Sequence, residues 1–118
     1  MTLHELQEQV RRFAQERDWE QFHDPKNLSM ALAGEAGELL EIFQWLTPAQ
    51  SAAIMADPAR ADAVRHELAD VLAYLLRLAD VLEVDLATAL RDKMDLNARR
   101  YPVDRSRGRS DKYDTYEN

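Results

Sequence analysis

Three pairs in which a capping residue precedes proline divide this chain into segments of helical length. They are Asp24-Pro25, Thr47-Pro48 and Asp57-Pro58. Proline suits the first turn of a helix because its missing N–H has no helical partner there, and the preceding Asp or Thr can accept hydrogen bonds from free backbone N–H groups. The pattern predicts helices from Pro25 to about Leu46, near 49–55, and from Pro58 to about Leu82.

Helical periodicity extends to both sides of these segments. Thr2 and Glu5 have the spacing of a capping box, and apolar residues then recur every three or four positions, which predicts a first helix ending at about Arg17. Asp85 is expected to cap a last helix that ends near Arg100, before Pro102. No stretch alternates apolar and polar residues for long enough to indicate a strand. The predicted fold is therefore all-α, with four main helices and a short connecting helix.

The length and composition fit one soluble domain. A chain of 118 residues with 46% hydrophobic content can build one core but is too short for two ordinary domains. We expect a single domain over 1–118, in which about 101–118 is a basic tail with little structure of its own. The polar amino terminus and the short longest apolar run, Val71 to Leu76, predict no membrane span and no processing. The absence of cysteine excludes thiolate metal sites and disulfides and fits a cytoplasmic protein.

Charge is distributed unevenly along the chain. The net charge of −7 argues against binding to a nucleic-acid polymer, which depends on neutralising phosphates with basic residues. Residues 99–112 nevertheless hold six basic against two acidic residues, a local net charge of +4, which leaves about −11 for the remainder. The segment is either a solvated tail or a phosphate-binding element.

The sequence VLAYLLRLADVL in the long helix is apolar on most of its circumference. A helix of this kind is typically buried on two sides. In so small a chain a second subunit is the simplest cover for the second side, which predicts a homo-oligomer.

Two helices each carry a pair of acids three residues apart, a spacing that places both carboxylates on one face. The pairs are Glu35 with Glu38 and Glu67 with Asp70. Both border apolar stripes, so packing of the two helices would bring four negative charges together, which is physically reasonable only with a cation to neutralise them. Hard oxygen ligands favour Mg²⁺, with Mn²⁺ as a second candidate. The alternative is ordinary solvated helix surface.

Gly34 and Gly37 lie inside the same helix as the first acidic pair, although each costs ~1 kcal/mol relative to alanine there. They would permit close approach of another backbone or of a bulky ligand. Tight helix packing explains them equally well.

Flat side chains lie near the acids in sequence. Trp45 follows Glu38 by about two turns, Tyr74 follows Asp70 by about one turn, and the interrupted segment before Pro25 contains Trp19, Phe22 and His23. Aromatic rings near a metal site suit stacking against a nucleobase while the metal holds phosphates. Core packing is the alternative for an isolated tryptophan.

The strings GEAGELLE and HELAD resemble the ExxE…ExxD signature of the MazG-like, all-α nucleoside triphosphate pyrophosphohydrolases. The strings ERDWEQFH, GELLEIFQW, KMDLNARRYP and the later KY are similar to the dCTP pyrophosphatase branch, and the similarity runs from about Leu6 to Tyr113. The resemblance implies a MazG-like helical bundle, assembled as a homodimer or homotetramer. It also implies hydrolysis of a nucleoside triphosphate, dCTP or a related pyrimidine deoxynucleotide, to the monophosphate and diphosphate, in nucleotide pool sanitation.

The resemblance also implies roles for individual residues. The metal ligands are Glu35, Glu38, Glu67 and Asp70. The nucleoside is surrounded by Trp19, Phe22, His23, Trp45 and Tyr74. The phosphates or the sugar lie near Lys93, Asn97, Arg100, Tyr101, Lys112 and Tyr113. One departure concerns Val10, which aligns with a substrate-contacting histidine in the first helix of animal members and so puts a strict preference for cytosine in doubt.

Phosphoryl transfer requires charge neutralisation and an in-line nucleophile more than covalent help from the protein. We expect Glu35 or Glu38 to be catalytic, by orienting and partly deprotonating the attacking water. One rival is a di-iron carboxylate bundle, but its Glu-x-x-His string occurs only at Glu20 to His23, in the interrupted segment. The other is a non-catalytic helical nucleotide-binding or oligomerisation module. The sequence leaves open the preferred base and sugar, the number of metal ions, the phosphorus attacked, and dimer against tetramer.

Overall fold

The computed structural model describes residues 1–116 and is mainly helical over that range. Six α-helices follow in chain order: α1 (Leu3–Glu16), α2 (Pro25–Phe43), α3 (Pro48–Ala52), α4 (Pro58–Val81), α5 (Leu86–Arg100) and α6 (Val103–Ser106). Short 3₁₀ turns cover Glu20–Phe22, Ile54–Ala56 and Tyr113–Thr115. No strand occurs within residues 1–116, so the prediction of an all-α fold with four main helices and a short connecting helix is confirmed, and α6 adds to it.

Side-chain caps begin the longer helices where the sequence predicted them. Thr2 forms a complete capping box with Glu5 at the start of α1, and Thr47 forms one with Gln50 at the start of α3. The remaining caps are aspartates that accept hydrogen bonds from backbone N–H groups at the starts of α2, α4 and α5: Asp24, Asp57 and Asp85. A cap of this kind contributes ~0.5–2 kcal/mol to helix stability. Local chemistry therefore fixes where these helices begin.

The end of α2 differs from the prediction. The helix ends at Phe43 rather than at Leu46. The N–H of Leu46 donates to the carbonyl oxygen of Phe43 at 3.0 Å, which closes a tighter turn than a helical one. Thr47 is extended, with ψ at 159°, because the residue before a proline is excluded from the helical region. The cap of α3 thus ends α2 early.

Residues 1–83 form one compact unit in which α4 is the central element. α4 packs against α1, α2 and the turn Ile54–Ala56, and α2 with α4 is the most extensively packed helix pair. Leu76 of α4 and Leu28 of α2 are almost completely buried, at 2% and 1% exposure. The α2–α4 interface therefore positions any side chains that the two helices direct toward each other.

Among the described residues, those from Val84 to Tyr116 form a second compact unit. The prediction that the tail from about 101 has little structure is wrong for its described part, because α6 and the turn at Tyr113–Thr115 lie there. The ring of Tyr101 makes edge contacts with Tyr113 and Tyr116, at centroid distances of 5.8 and 5.9 Å. Gly108 turns the chain with a φ of +77°, a conformation that glycine adopts without strain. Tyrosine packing orders a segment that its polar composition describes as loose, and residues 117 and 118 of the predicted tail lie outside the described residues.

One side of α4 is open to solvent within this chain. Leu68, Leu72 and Leu75 form a stripe along the helix and are 52%, 37% and 37% exposed. The expected cover for this side is a second subunit, and the homo-oligomer stays a prediction, as does the single domain over 1–118. Among the described helices, none is long and apolar enough to cross a membrane.

Candidate metal centre and nucleobase cavity

The four predicted metal ligands lie on the two helices that pack together most extensively. Glu35 and Glu38 are on α2, and Glu67 and Asp70 are on α4. One carboxylate oxygen from each of Glu35, Glu38 and Glu67 lies within 4.8 Å of the other two. Asp70 is close enough for its charge to act on both Glu35 and Glu67. Packing of α2 on α4 thus joins two acidic pairs that are each local in sequence.

The electrostatics of this acidic cluster (Glu35, Glu38, Glu67 and Asp70) are unfavourable without a cation. Burial, together with hydrogen bonding to Glu38 and its negative charge, raises the pKa of Glu35 to about 7. Burial and the charge of Glu38 also raise the pKa of Glu67. A carboxyl group becomes harder to ionise when water is withdrawn and like charges are near. The cluster therefore gains from a bound cation more than an exposed acidic surface would.

Two oxygen atoms of the cluster are buried without a hydrogen-bond partner among the described residues: Oε2 of Glu35 and Oε2 of Glu67. Buried polar atoms in folded proteins almost always have a hydrogen-bond partner, and a bound ion is one of the recognised explanations for an exception. The donor set consists only of carboxylate oxygens, which suits a hard divalent cation such as Mg²⁺ or Mn²⁺. The residues present therefore fit the predicted metal.

A cavity of about 190 Å³ lies beside the acidic cluster, between α1, the segment after it and α4. Asp70 belongs to both the cluster and the cavity wall. The other lining residues are mainly aromatic and apolar and include three of the predicted nucleoside contacts: Trp19, His23 and Tyr74. The volume is below the ~300–1,000 Å³ of pockets that enclose a whole drug-sized ligand, so it suits one ring system with the phosphates outside.

The wall formed by α1 is apolar. Val10 and Phe13 line the cavity, and the rings of Phe13 and Trp19 pack in a T-shaped arrangement at a centroid distance of 5.7 Å. Val10, Phe13 and Ala73 also border a wider groove of about 520 Å³. Val10, for which the resemblance implies a histidine in animal members, therefore faces the cavity and offers no hydrogen bond to a base.

Two predicted nucleoside contacts lie elsewhere in this chain. Trp45, just after α2, is 86% exposed, and Phe22, in the turn after α1, is 59% exposed. Neither lines the cavity. A tryptophan so exposed is not core packing, which removes one of the two interpretations of Trp45, while its contact with a nucleoside stays a prediction.

Sequence reasoning missed a network of charged residues behind the cavity. We call it the Arg77 network: Arg11, Glu20, His23, Arg77 and Asp80. Arg77 is 6% exposed and donates to Nδ1 of His23, to Asp80 and to Glu20. Asp80 in turn accepts two hydrogen bonds from Arg11, at 2.7 and 2.5 Å. The available signal was the occurrence of Arg77 and Asp80 within an otherwise apolar stretch of α4.

The same network explains the single Glu-x-x-His string. Both Glu20 and His23 bind the guanidinium of Arg77, at 3.3 and 3.1 Å. A histidine nitrogen that accepts from arginine cannot at the same time ligate a metal. The geometry thus argues against a di-iron site built on this string.

The remaining predicted contacts belong to the second compact unit. Within it the guanidinium of Arg100 lies 4.7 Å from the ring centroid of Tyr113, and Tyr101 packs against the same ring. The other predicted residues vary in exposure, Asn97 being half-buried and Lys93 and Lys112 exposed. The roles of all six near the phosphates or sugar stay predictions.

The two glycines beside the acids face open space. A Cβ added to Gly34 or to Gly37 would meet nothing within 4 Å among the described residues. Tight helix packing within this chain is therefore not the reason for these glycines. Close approach of a group from outside the chain remains the other interpretation.

Comparisons with known proteins agree on one family. The sequence model of the MazG-like family matches residues 31–115, a range that contains all four acids. The chain is 49% identical over 112 residues to dCTP pyrophosphatase 1 of Rattus norvegicus and 48% identical to that of Homo sapiens, with 95% of this chain covered in each case. It spans 66% of the length of these relatives. Among solved structures, a pyrophosphatase from Archaeoglobus fulgidus DSM 4304 is 41% identical with a TM-score of 0.78, over 84% of this chain and 91% of the other.

Proposed function

This chain belongs to the MazG-like family, and from that premise we propose that it is a nucleoside triphosphate pyrophosphohydrolase. The proposed reaction is the Mg²⁺-dependent hydrolysis of a deoxynucleoside triphosphate, with dCTP as the first candidate, to the monophosphate and diphosphate. The role would be sanitation of the nucleotide pool. One observation supports the proposal most directly. The acidic cluster, which would be stabilised by a cation, lies beside an aromatic cavity, and Asp70 belongs to both.

The acidic cluster supplies the catalytic chemistry in this proposal. Glu35, Glu38, Glu67 and Asp70 would hold Mg²⁺, or Mn²⁺, which neutralises charge on the triphosphate and lowers the pKa of water. Glu35 or Glu38 would orient the attacking water and accept its proton. The raised pKa of Glu35, about 7 without a cation, supports this role, because carboxylates that resist ionisation gain from added positive charge. The in-line geometry of phosphoryl transfer then depends on how these carboxylates hold the reacting groups.

The cavity supplies selectivity for the base. A volume of about 190 Å³ lined by Trp19, Tyr74 and His23 suits a single pyrimidine ring stacked on an aromatic face. The relatives named dCTP pyrophosphatase 1 support cytosine as that ring. Because Val10 gives this side of the cavity no polar contact, we expect related pyrimidine deoxynucleotides to be accepted as well.

Positive charge for the phosphates would come from the second compact unit. Residues 99–112 carry a net charge of +4, and Arg99, Arg105, Arg107 and Lys112 are exposed. Arginine can bind phosphate oxygens with paired hydrogen bonds. In the proposal these residues, with Lys93, Asn97, Arg100, Tyr101 and Tyr113, bind the part of the substrate that the metal leaves unpaired.

We further propose a homodimer or homotetramer in the cytoplasm. Exposed apolar surface supports this: the stripe formed by Leu68, Leu72 and Leu75, and the exposed Trp45. Exposed apolar patches of this kind are typical of interfaces between proteins. A second subunit over this surface would also give Trp45 and Phe22 a route to a nucleoside. The absence of cysteine is consistent with a reducing compartment.

A substrate screen tests the proposed activity. The purified chain is incubated with Mg²⁺ and each canonical or common modified nucleoside triphosphate, and released diphosphate and monophosphate are measured. We expect equal amounts of the two products, with pyrimidine deoxynucleotides hydrolysed fastest. Hydrolysis in ¹⁸O-labelled water then distinguishes attack at the α phosphorus, which labels the monophosphate, from attack at the β phosphorus, which labels the diphosphate.

The control is the Asp70→Asn variant prepared in the same way, which reports any contaminating phosphatase. Release of inorganic phosphate with a nucleoside diphosphate would contradict the proposed reaction. Nucleotide binding without turnover of any triphosphate, with Mg²⁺ or Mn²⁺, would favour the non-catalytic module instead.

A further inference from the structure

His23 lies in the cavity wall with its orientation set from behind by Arg77. The Nε–H of Arg77 donates to Nδ1 of His23 at 3.1 Å. A guanidinium has only donors, so the nitrogen that faces it must carry no proton. A neutral imidazole with a bare Nδ1 carries its proton on Nε2. One of the two tautomers is therefore selected by a residue that sequence reasoning did not identify.

We propose that Arg77 is a positioning residue that holds His23 as the Nε2–H tautomer, so that the cavity offers a hydrogen-bond donor and selects bases with a ring carbonyl or ring nitrogen acceptor at that place. The proposal rests on the proposed function insofar as it assigns a base to the cavity. The tautomer itself depends only on the contacts of this chain.

The geometry of Arg77 leaves it little freedom. Its side chain is 7% exposed, and its three nitrogens are engaged by three different partners: His23, Glu20 and Asp80. Asp80 is fixed in turn by the paired hydrogen bonds from Arg11. A side chain held on three sides cannot turn away from His23 without leaving buried charges unpaired, which is costly. The donor to Nδ1 is thus held in place by the packing of the folded unit.

The surroundings of His23 also keep it neutral. Burial and the positive charge of Arg77 lower the pKa of His23, and the negative charge of Glu20 opposes them only in part. Across the cavity the wall contains Asp70, together with the uncharged Tyr74 and Trp19. A neutral imidazole with a protonated Nε2 is a single donor, whereas an imidazolium would attract any anion. The cavity therefore suits a hydrogen-bond acceptor on an uncharged ring better than a phosphate, because His23 offers no positive charge and Asp70 is negative.

Nuclear magnetic resonance of the full chain, labelled with ¹⁵N at histidine, tests the tautomer directly. His23 is assigned by its loss in His23→Gln, and His4 and His66, which are exposed, serve as internal references. We expect the His23 Nδ1 signal in the range of an unprotonated nitrogen and Nε2 in the range of a protonated one. An Nδ1–H tautomer or an imidazolium at neutral pH would overturn the proposal, and neither outcome depends on whether the chain hydrolyses any nucleotide.

Replacement of Arg77 separates positioning from a structural role. In Arg77→Met, which keeps the length of the side chain, we expect mixed tautomers and a KM about 3- to 10-fold higher, the equivalent of one hydrogen bond, with kcat changed less. Arg77→Lys, which keeps a cationic donor, should recover part of the wild-type tautomer and KM. An unaltered tautomer in a folded Arg77→Met would overturn the proposal. If Arg77→Met does not fold, the tautomer of the wild type and the variants His23→Gln and His23→Asn test the proposal instead.

Two substitutions of His23 test the direction of the donor. Glutamine places an amide N–H near the position of Nε2, whereas asparagine places its amide nearer to Nδ1. We expect binding of deoxycytidine monophosphate, followed by tryptophan fluorescence, to be within about 3-fold of wild type in His23→Gln and weakened about 3- to 10-fold in His23→Asn. Equal weakening in both variants would overturn the selection of an acceptor through Nε2.

Discussion

α4 contributes residues to two charged clusters about ten residues apart. One contains only acidic groups, and in the other acidic and basic groups are paired. The acidic cluster joins Glu67 and Asp70 to two glutamates of α2, so all its charges have the same sign. The Arg77 network joins residues of α4 to both signs of charge on α1 and on the segment that follows it. The first leaves buried oxygens without partners, whereas the second engages its central guanidinium on every side.

The pKa values show what this difference means. Burial among like charges raises the pKa of Glu35 and of Glu67. The hydrogen bonds from Arg11 and the charge of the two arginines lower the pKa of Asp80, although burial opposes them. A cluster of the first kind demands a ligand from outside, and one of the second kind is complete within the chain. Burial of charge therefore indicates a binding site only where the partners are missing.

Removal of one charge from the acidic cluster should have the largest effect. We expect Asp70→Asn or Glu38→Gln to reduce turnover at least about 10³-fold, because a metal ligand supports several kcal/mol of transition-state stabilisation. Diphosphate release measures the loss, and circular dichroism should show unchanged helicity. Asp62→Asn, an exposed aspartate earlier on α4, is the matched control and should remain active. Wild-type turnover in both Asp70→Asn and Glu38→Gln would refute the metal assignment.

Disruption of the Arg77 network should act on stability instead. We expect Asp80→Ala to lower the free energy of unfolding by about 3 kcal/mol, because it leaves buried positive charge unpaired. Asp62→Ala removes the same kind of partner from an exposed Asp–Arg pair three residues apart and should cost less than about 1 kcal/mol. Urea denaturation of both variants measures the difference. Equal costs would mean that burial does not distinguish the two pairs.

The two tryptophans compare a residue inside the cavity with one outside it. Trp19→Ala should weaken nucleotide binding by about 1–3 kcal/mol, the usual contribution of a base–aromatic stack. Trp45→Ala should have a similar effect only if a second subunit brings Trp45 to the site. Quenching of tryptophan fluorescence by the nucleotide, together with sedimentation analysis of each variant, separates these cases. Unchanged affinity in Trp19→Ala would place the base elsewhere.

The pH dependence of stability should have opposite signs for the two clusters. The pKa of Glu35 is about 7 in the folded chain and 4.5 when unperturbed, so the folded state holds a proton that the unfolded state has lost. Without metal, this group should make the protein less stable as the pH rises from about 4.5 to about 7. Asp80 has a lowered pKa, so its contribution is present above 3.8 and is lost as the pH falls through its folded value.

Thermal unfolding in a chelating buffer checks these signs. We expect the melting temperature to fall by a few degrees across the Glu35 range, and the fall should shrink in Glu35→Gln and disappear with saturating Mg²⁺. A metal-free melting temperature that rises steadily with pH in the wild type would contradict the raised pKa of Glu35.

The basic segment 99–112 should give the smallest effect, because its charges are exposed and screened by salt. We expect Arg105→Gln with Arg107→Gln to raise KM by no more than about tenfold at low ionic strength, and less at high ionic strength. Arg60→Gln with Arg65→Gln removes the same charge from α4 and controls for net charge. Identical KM values in the two double variants would leave the segment as a solvated one.

Local rules predicted the helices well, because the determining interactions lie within four residues. Thr2, Asp24 and Asp85 cap the helices that their positions indicated. The same reasoning placed two acids on one face of each of two helices. Short-range rules were wrong where tertiary contacts compete with them, as in the segment after Tyr101, which its polar composition described as loose and which tyrosine packing orders.

The Arg77 network shows why the rest of the site could not be predicted. Arg77 meets His23 and Glu20 across 54 and 57 residues of chain, and Arg11 meets Asp80 across 69. No periodicity or motif records such pairings. The exposure of Trp45 is likewise a property of packing, since the sequence left core packing open as the alternative for this indole.

The sequence by itself determined the all-α class, the starts of the helices, the two acidic pairs and the family, because caps, proline geometry and i, i+3 spacing act locally and motifs are linear. Only the tertiary structure decided that three acids converge within 4.8 Å, that Trp19 lines the cavity while Trp45 does not, and that Arg77 fixes the face of His23. These outcomes depend on how α1, α2 and α4 pack. Desolvation and pairing of charge are set by neighbours that the chain brings together only when it folds.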